Sequence, residues 1–206
     1  MAIGALNNFT VPLASDQSAS SQGMLMPKLQ YRFRVTLENF GVSTPRTELT
    51  KQVSDAFRPT VEFEDQTIMV YNSTIHYAGR PKWSSGSLKL RDDATGNVTR
   101  LVGEQMQKQF DFFEQSSTSA GDYKFTMRIE MLDGGNGTNV ANVLETWEVY
   151  GCFIQKVNYG TLAYKEQAPI LIELTIQMDN AVQTTGGAFG AATSVQTNKS
   201  TSVIGS

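Results

Sequence analysis

Gly79-Arg80-Pro81-Lys82-Trp83-Ser84-Ser85-Gly86-Ser87-Leu88-Lys89-Leu90-Arg91-Asp92-Asp93 runs, after a short turn, into Asn97-Val98-Thr99-Arg100-Leu101-Val102-Gly103-Glu104-Gln105-Met106-Gln107-Lys108-Gln109-Phe110-Asp111-Phe112-Phe113-Glu114-Gln115. This stretch decides the fold, because its apolar period changes within it. From Ser84 to Leu90 the spacing of Leu88 and Leu90 is that of a strand. Then Val98, Leu101, Val102, Met106, Phe110 and Phe113 fall on one helical face, with Arg100, Glu104, Lys108 and Asp111 opposite. Asp92, Asp93 and Asn97 are candidate caps that also favour the dipole, and Glu104 precedes Lys108 by one turn in the favourable order. A helix over about 97–115 is predicted, with those six apolar residues as its packing face. Burying such a face contributes about 1.5–3 kcal/mol per large side chain, so the helix lies on a sheet.

On either side the chain reads as strands. Tyr31, Phe33, Val35 and Leu37 alternate with Arg32, Arg34, Thr36 and Glu38, and Asn39-Phe40-Gly41 turns the chain. A second strand is expected over Thr47–Val53, and a short one through Val61 and Phe63. Ile68, Val70, Ile75 and Tyr77 alternate in two short runs joined by Asn72-Ser73, which predicts a hairpin projecting over about 65–77. After the helix, Tyr123 to Met131 alternates cleanly, and Asp133-Gly134-Gly135-Asn136-Gly137-Thr138 is a loop. Trp147, Val149 and Gly151 to Val157 follow, then a last strand through Ile170, Ile172, Leu174, Ile176 and Met178. The expected fold is mainly β: about seven strands and one packed helix.

Three segments are expected: an N-terminal arm over 1–28, a β domain over 29–180 and a C-terminal low-complexity arm over 181–206. Up to Pro27 the only charge is Asp16, and from Ala181 onward the only one is Lys199. Two readings stay open for such bland arms: segments that lie along a partner surface, or flexible ends.

The 206 residues suit one domain with tails, and their charge of -3 offers no basic excess for neutralising phosphates. Mild acidity does suit a surface along which DNA must pass without sticking. No run approaches the ~18 apolar residues of a membrane span, and Met1-Ala2-Ile3-Gly4-Ala5-Leu6 lacks a signal-peptide pattern. A chain without membrane anchor, made and kept in a cytoplasm, is therefore expected. On that reading the sequons at Asn8, Asn72, Asn97, Asn136 and Asn198 are chance matches.

Catalysis finds no support either. Cys152 is the single cysteine and His76 the single histidine, which excludes an internal disulfide, a thiolate cluster and a multi-histidine metal site within one chain. Glu62 with Glu64, and Asp92 with Asp93, are carboxylate pairs that a solvated strand face and a helix cap explain better than acid–base work on a sugar. The glycine-rich loop lacks the lysine and following helix of a phosphate cradle. Strict alternation in Tyr31-Arg32-Phe33-Arg34 separates aromatics from arginines, which spoils a base-stacking platform. No catalytic, cofactor-binding or metal-binding residue is assigned.

Gly79 to Trp83, Leu90 to Asp93 and Leu101 to Gln115, with Tyr31 to Val35 and Trp147 to Tyr159 in corresponding strand positions, resemble the tail tube proteins of contractile-tailed bacteriophages. The resemblance covers roughly residues 29–179 and extends to the related secretion-system tubes. It implies a β-sandwich or barrel with a packed helix, whose inner strands join a ring-wide barrel in a hexamer. Hexameric rings would stack helically into a hollow conduit for genome delivery, within a virion tail assembled in the host bacterial cytoplasm. The implied partners are the tail sheath, tape-measure, baseplate and tail-terminator proteins, with transient, non-specific passage of DNA. The excursion holds the place of the family's inter-ring loop, so Ile68, Met69, Val70, Tyr71 and Ile75 are the expected inter-ring contacts. The alternatives are a tube subunit of a contractile secretion or bacteriocin device and, further off, a soluble β-sandwich carbohydrate-binding module.

Overall fold

The computed structural model describes residues 28–43, 47–134, 141–165 and 167–185. The chain divides into two units, Met1–Tyr31 and Arg32–Ser206, and all of its described helices and strands belong to the second. Most of the expected N-terminal arm, and the C-terminal arm beyond residue 185, lie outside the described residues.

In chain order the elements are β1 (Phe33–Glu38), α1 (Thr47–Gln52), β2 (Val53–Asp55), β3 (Val61–Val70), β4 (Ser73–Trp83) and β5 (Gly86–Arg91). There follow α2 (Asn97–Gln109), β6 (Phe110–Asp111), β7 (Ser116–Ser117) and α3 (Ala120–Tyr123). The last are β8 (Phe125–Leu132), β9 (Val143–Asn158), β10 (Leu171–Gln177) and β11 (Asn180–Thr185). The fold is mainly β, and its principal sheet has seven strands in the order β1-β8-β9-β10-β5-β2, with β11 also on β9. β3–β4 and β6–β7 form separate two-stranded ribbons.

The alternation read in the sequence becomes the inward face. Val35 and Leu37 of β1, Phe125, Met127 and Ile129 of β8, and Ile172, Leu174 and Ile176 of β10 are all buried, and they share one core with Leu88 and Leu90 of β5. The outer face is closed by charge pairs at register positions. Arg34 bonds Glu130 at 2.6 Å, and Arg128 bonds Glu148 at 2.9 Å.

β9 is long enough to serve both halves of this core. Its first part pairs with β8 and β11, and its second part pairs with β10. The change comes at Gly151, whose φ of 65° only glycine adopts readily. Opposite it the β10–β11 run breaks at Met178-Asp179, and Asp179 N–H reaches Tyr150 C=O at 3.1 Å. A Cβ at Gly151 would stand 2.2 Å from Asp179 Oδ2. Gly151→Ala is therefore expected to lower stability by about 1–3 kcal/mol, from strain and displacement of Asp179 together. An unchanged urea midpoint would show that the bend does not depend on this residue.

α2 packs Val98, Leu101 and Val102 into the core, with Met106 against its margin. At its start Asp93 Oδ1 accepts from Val98 N–H at 3.2 Å and Asp92 Oδ1 from the Thr99 hydroxyl at 2.9 Å, while Gly96 holds the cap position itself. The Thr95 hydroxyl, first among several donors, holds the Asp93 carboxyl below its ordinary value. Two polar residues tie the middle of the helix to its surroundings. Gln105 is fully buried, accepts from Gly41 N–H at 2.8 Å and donates to Tyr123 C=O at 2.7 Å. Glu104 accepts from the backbone N–H groups of Val42 and Ser43 at 3.0 and 2.8 Å, and from the Ser43 hydroxyl. Those bonds, the Ser43 hydroxyl foremost, hold Glu104 below its ordinary value of 4.5. A carboxylate depressed by folding adds stability above its unfolded pKa and loses it as pH falls through the lower folded value. Glu104→Gln should therefore be less stable than the parent at neutral pH, with the difference closing in acid below 4.5. A constant gap between the two denaturation curves across that range would rule out a charge-dependent role for Glu104.

The structure corrects the sequence reading in four places. Thr47–Val53 is not a strand: Thr47–Gln52 is the one-turn helix α1, which buries Leu49, and the strand β2 is confined to Val53–Asp55. The long helix ends at Gln109, short of 115. Phe110 has φ -151° and is half-buried in β6, while Phe113 is 95% exposed, so neither belongs to the helix packing face. The reason is local, since Asp111 Oδ1 accepts from the N–H groups of Phe113 and Glu114, at 2.9 and 3.1 Å, and closes a turn there. The projecting segment extends beyond 65–77, to Val61–Trp83. Finally, Ala181 to Thr185 belong to β11, and Ala181 is 1% exposed, so the domain runs past 180.

Candidate assembly interface

Among the described elements, the β3–β4 ribbon forms no ladder with the main sheet. Its pairing runs from Val61 opposite Trp83 to Val70 opposite Ser73, with one irregularity between Phe63 and Asp65. Because side chains alternate across a ribbon, register sorts its residues into two faces. Ile68, Val70, Ile75 and Tyr77 share one face and are each half exposed. On the other lie Asp65, Thr67, Met69, Thr74 and His76, where His76 Nδ1 meets Asp65 Oδ2 at 2.9 Å. Tyr71 sits at the turn with φ 50° and is 99% exposed. Hairpin turns usually give such a position to glycine, and a bulky aromatic there carries strain. Of the five residues expected to contact a neighbouring ring, Ile68, Val70 and Ile75 share one face, Met69 lies on the other and Tyr71 is at the turn.

The root of the ribbon is anchored from several sides. Ser84 N–H donates to Thr60 C=O at 3.0 Å, and Gln177 of β10 donates to Trp83 C=O at 3.1 Å. Gly86 presses against the Phe57 ring, so closely that a Cβ there would lie 2.1 Å from it. Arg58 pairs with Glu145 of β9, whose side chain is 2% exposed and also accepts from Trp147 Nε1 at 2.5 Å. This anchor went unread in the sequence. The available signal was parity: Glu145 shares the alternate positions of Trp147 and Val149, hence the inward face.

At the opposite end of the same sheet half, the loop from Tyr159 to Ile170 joins β9 to β10. Gly160 turns it with φ 80°, and Ile170 C=O receives Asp92 N–H at 3.0 Å. Its Leu162, Ala163, Tyr164, Ala168 and Ile170, with Thr161, line an open hollow of about 420 Å³. Leu162 and Tyr164 are almost wholly exposed there.

Within the principal sheet three strands, β1, β2 and β11, each have a single hydrogen-bonded neighbour and so present an open edge among the described residues. The other sequence candidates do not converge. Glu62 and Glu64 are exposed on β3, remote in sequence and element from Asp92 and Asp93 beside α2. Cys152 is buried, which pushes its thiol up to about 12. Among the described residues no group of three metal-ligating side chains occurs.

A seven-stranded sheet bent through shared strands, one packed helix and a detached apolar-tipped ribbon define a β-sandwich/barrel class built around its edges and projections. No family model and no curated protein sequence matches the chain. Solved structures do share the fold, in contractile injection systems. A chain of the 6-fold symmetrised anti-feeding prophage baseplate aligns at TM-score 0.59 and 12% identity, over 79% of this chain and 99% of that one. A chain of the tube-terminating cap of the same particle aligns at 0.58 and 14%, over 85% and 99%. One from the sheath–tube complex of an extracellular contractile injection system, PVC, aligns at 0.52 and 16%, over 77% and 92%. At these identities the common property is the fold, and none of the three is named for an enzyme.

Proposed function

We propose that this chain is a structural subunit of the inner tube of a contractile tail, in which hexameric rings stack helically into a hollow conduit. The observation that carries this reading is the ribbon at Val61–Trp83, anchored firmly at its root while exposing an apolar face to solvent. A monomer gains nothing from such a face, whereas a stacked assembly covers it. The open edges of β1, β2 and β11 supply lateral contacts within a ring. A net charge of -3 suits a surface along which DNA passes without adhering. On this reading the chain works in a bacteriophage virion tail assembled in the host cytoplasm, delivering a genome. Its partners are the sheath, tape-measure, baseplate and tail-terminator proteins. The second reading, a tube of a contractile secretion or bacteriocin device, is favoured by the origin of the similar structures in two injection systems.

Negative-stain electron microscopy of the purified full chain, alone and with a baseplate-type nucleus, tests the proposal. Six-fold rings or hollow tubes are expected. Persistent monomers in both conditions would overturn it and return attention to a binding module. Nucleic acid inside tubes from infected cells would select the phage tail over the injection device.

A further inference from the structure

We infer that the hollow at Thr161–Ile170 is the socket for the ribbon tip of a second copy of this chain, an inference that rests on the tube reading and names its stacking partner surface. The first support is placement. β5 pairs with β10 from Gly86 opposite Ile176 to Arg91 opposite Leu171. The ribbon leaves the sheet next to Gly86, and the hollow's loop enters it at Leu171, so the root of the plug and the loop of the socket stand at opposite ends of one strand pair. A six-residue strand separates them by roughly 17 Å at ~3.3 Å per residue. Two different patches at opposite ends give a head-to-tail contact, which repeats without limit in one direction instead of closing as a dimer.

The second support is chemistry. Between Asp65 and His76 the ribbon carries no charged side chain, and neither do the described residues that line the hollow. Polar and charged residues stand at the margins: Asp65 and His76 flank the tip in sequence, and Lys165 with Glu166 falls between the lining residues Tyr164 and Ala168. An apolar centre with a polar rim is the ordinary anatomy of a protein interface. The open hollow of about 420 Å³ leaves room for side chains such as Val70 and Tyr71. The strained turn that holds Tyr71 outermost is explained if that ring has a pocket to enter.

The test mixes full-length Val70→Cys chains with full-length Leu162→Cys chains, assembles them on a nucleus, oxidises mildly and reads a non-reducing gel. Tyr71→Cys with Ala163→Cys is a second pair, in case the first disturbs assembly. Native Cys152 is buried and stays out of the exchange. Mixed chains should give a disulfide dimer severalfold above either chain alone, since only neighbours that bring Cβ atoms within ~4.5 Å can be bridged. Tubes seen by microscopy without a mixed cross-link from either pair would overturn the socket and leave the tube reading intact. Cross-linking of Val70→Cys chains to one another as readily as to Leu162→Cys chains would replace it with a tip-to-tip contact. Absence of rings and tubes for the unmodified chain, with a nucleus present, would remove both.

Discussion

Ile68→Glu and Val70→Glu, singly, are expected to stop tube growth while leaving the subunit folded. Both residues sit on the apolar face of the ribbon, half exposed and clear of the core, so a carboxylate there is fully hydrated in the monomer. Folding then costs little, and the melting curve should match the parent within about 0.5 kcal/mol. Assembly differs. Covering the face would strip water from a charge that has no partner in an apolar contact, at a cost of several kcal/mol. Each ~1.4 kcal/mol raises the concentration needed for growth tenfold, so two such steps move it a hundredfold. Sedimentation of assembled material across a concentration series measures this directly. Tubes forming at the parental concentration from either variant would show that the ribbon is not a stacking contact.

The second large effect is expected within the subunit. Arg58→Ala removes a guanidinium from beside the Glu145 carboxylate, which is 2% exposed and held also by Trp147. Breaking a buried pair from one side typically costs about 3–5 kcal/mol, because the remaining charge keeps its desolvation and loses a counter-charge. Arg58 is itself 59% exposed, which places the expectation at the lower end, about 3 kcal/mol, read as a shift in the denaturant midpoint. The double variant Arg58→Met with Glu145→Met should recover most of the loss, since both charges then leave together. A double variant as weak as the single one would mean that Arg58 acts by packing. The pair also ties the base of the ribbon to β9, so the single variant should raise proteolytic cleavage near Thr60.

How far the fold could be read from the sequence depended on how each residue type signals burial. Alternation in β1, β8 and β10 was readable because large apolar side chains recur with period two. α1 escaped because one turn around Leu49, set among Thr, Glu and Lys, is too short to display any period. The overlong helix arose because Phe110 and Phe113 fit the helical spacing, while the Asp111 side chain that ends it sends no apolar signal. β11 is hidden in its composition: a strand laid against an edge already built can be made of Ala, Val, Gln and Thr. Gln105 and Glu145 are polar residues on inward faces, satisfied there by partners far along the chain. The ribbon's apolar residues were legible by number, but the hollow was not. Its walls come together only through the turn of a loop, and Leu162, Ala163 and Tyr164 have no spacing that marks a pocket.

The sharing of β9 between the two halves of the core has a mechanical consequence. A load entering at the ribbon root passes through β5 to β10, and then by hydrogen-bonded ladders to β9 and β8. No step relies on one sheet gripping another through side chains alone. Force along the strands meets many backbone bonds in shear, all of which must yield together. The bend at Gly151 lets the subunit curve without a seam at which the halves could part.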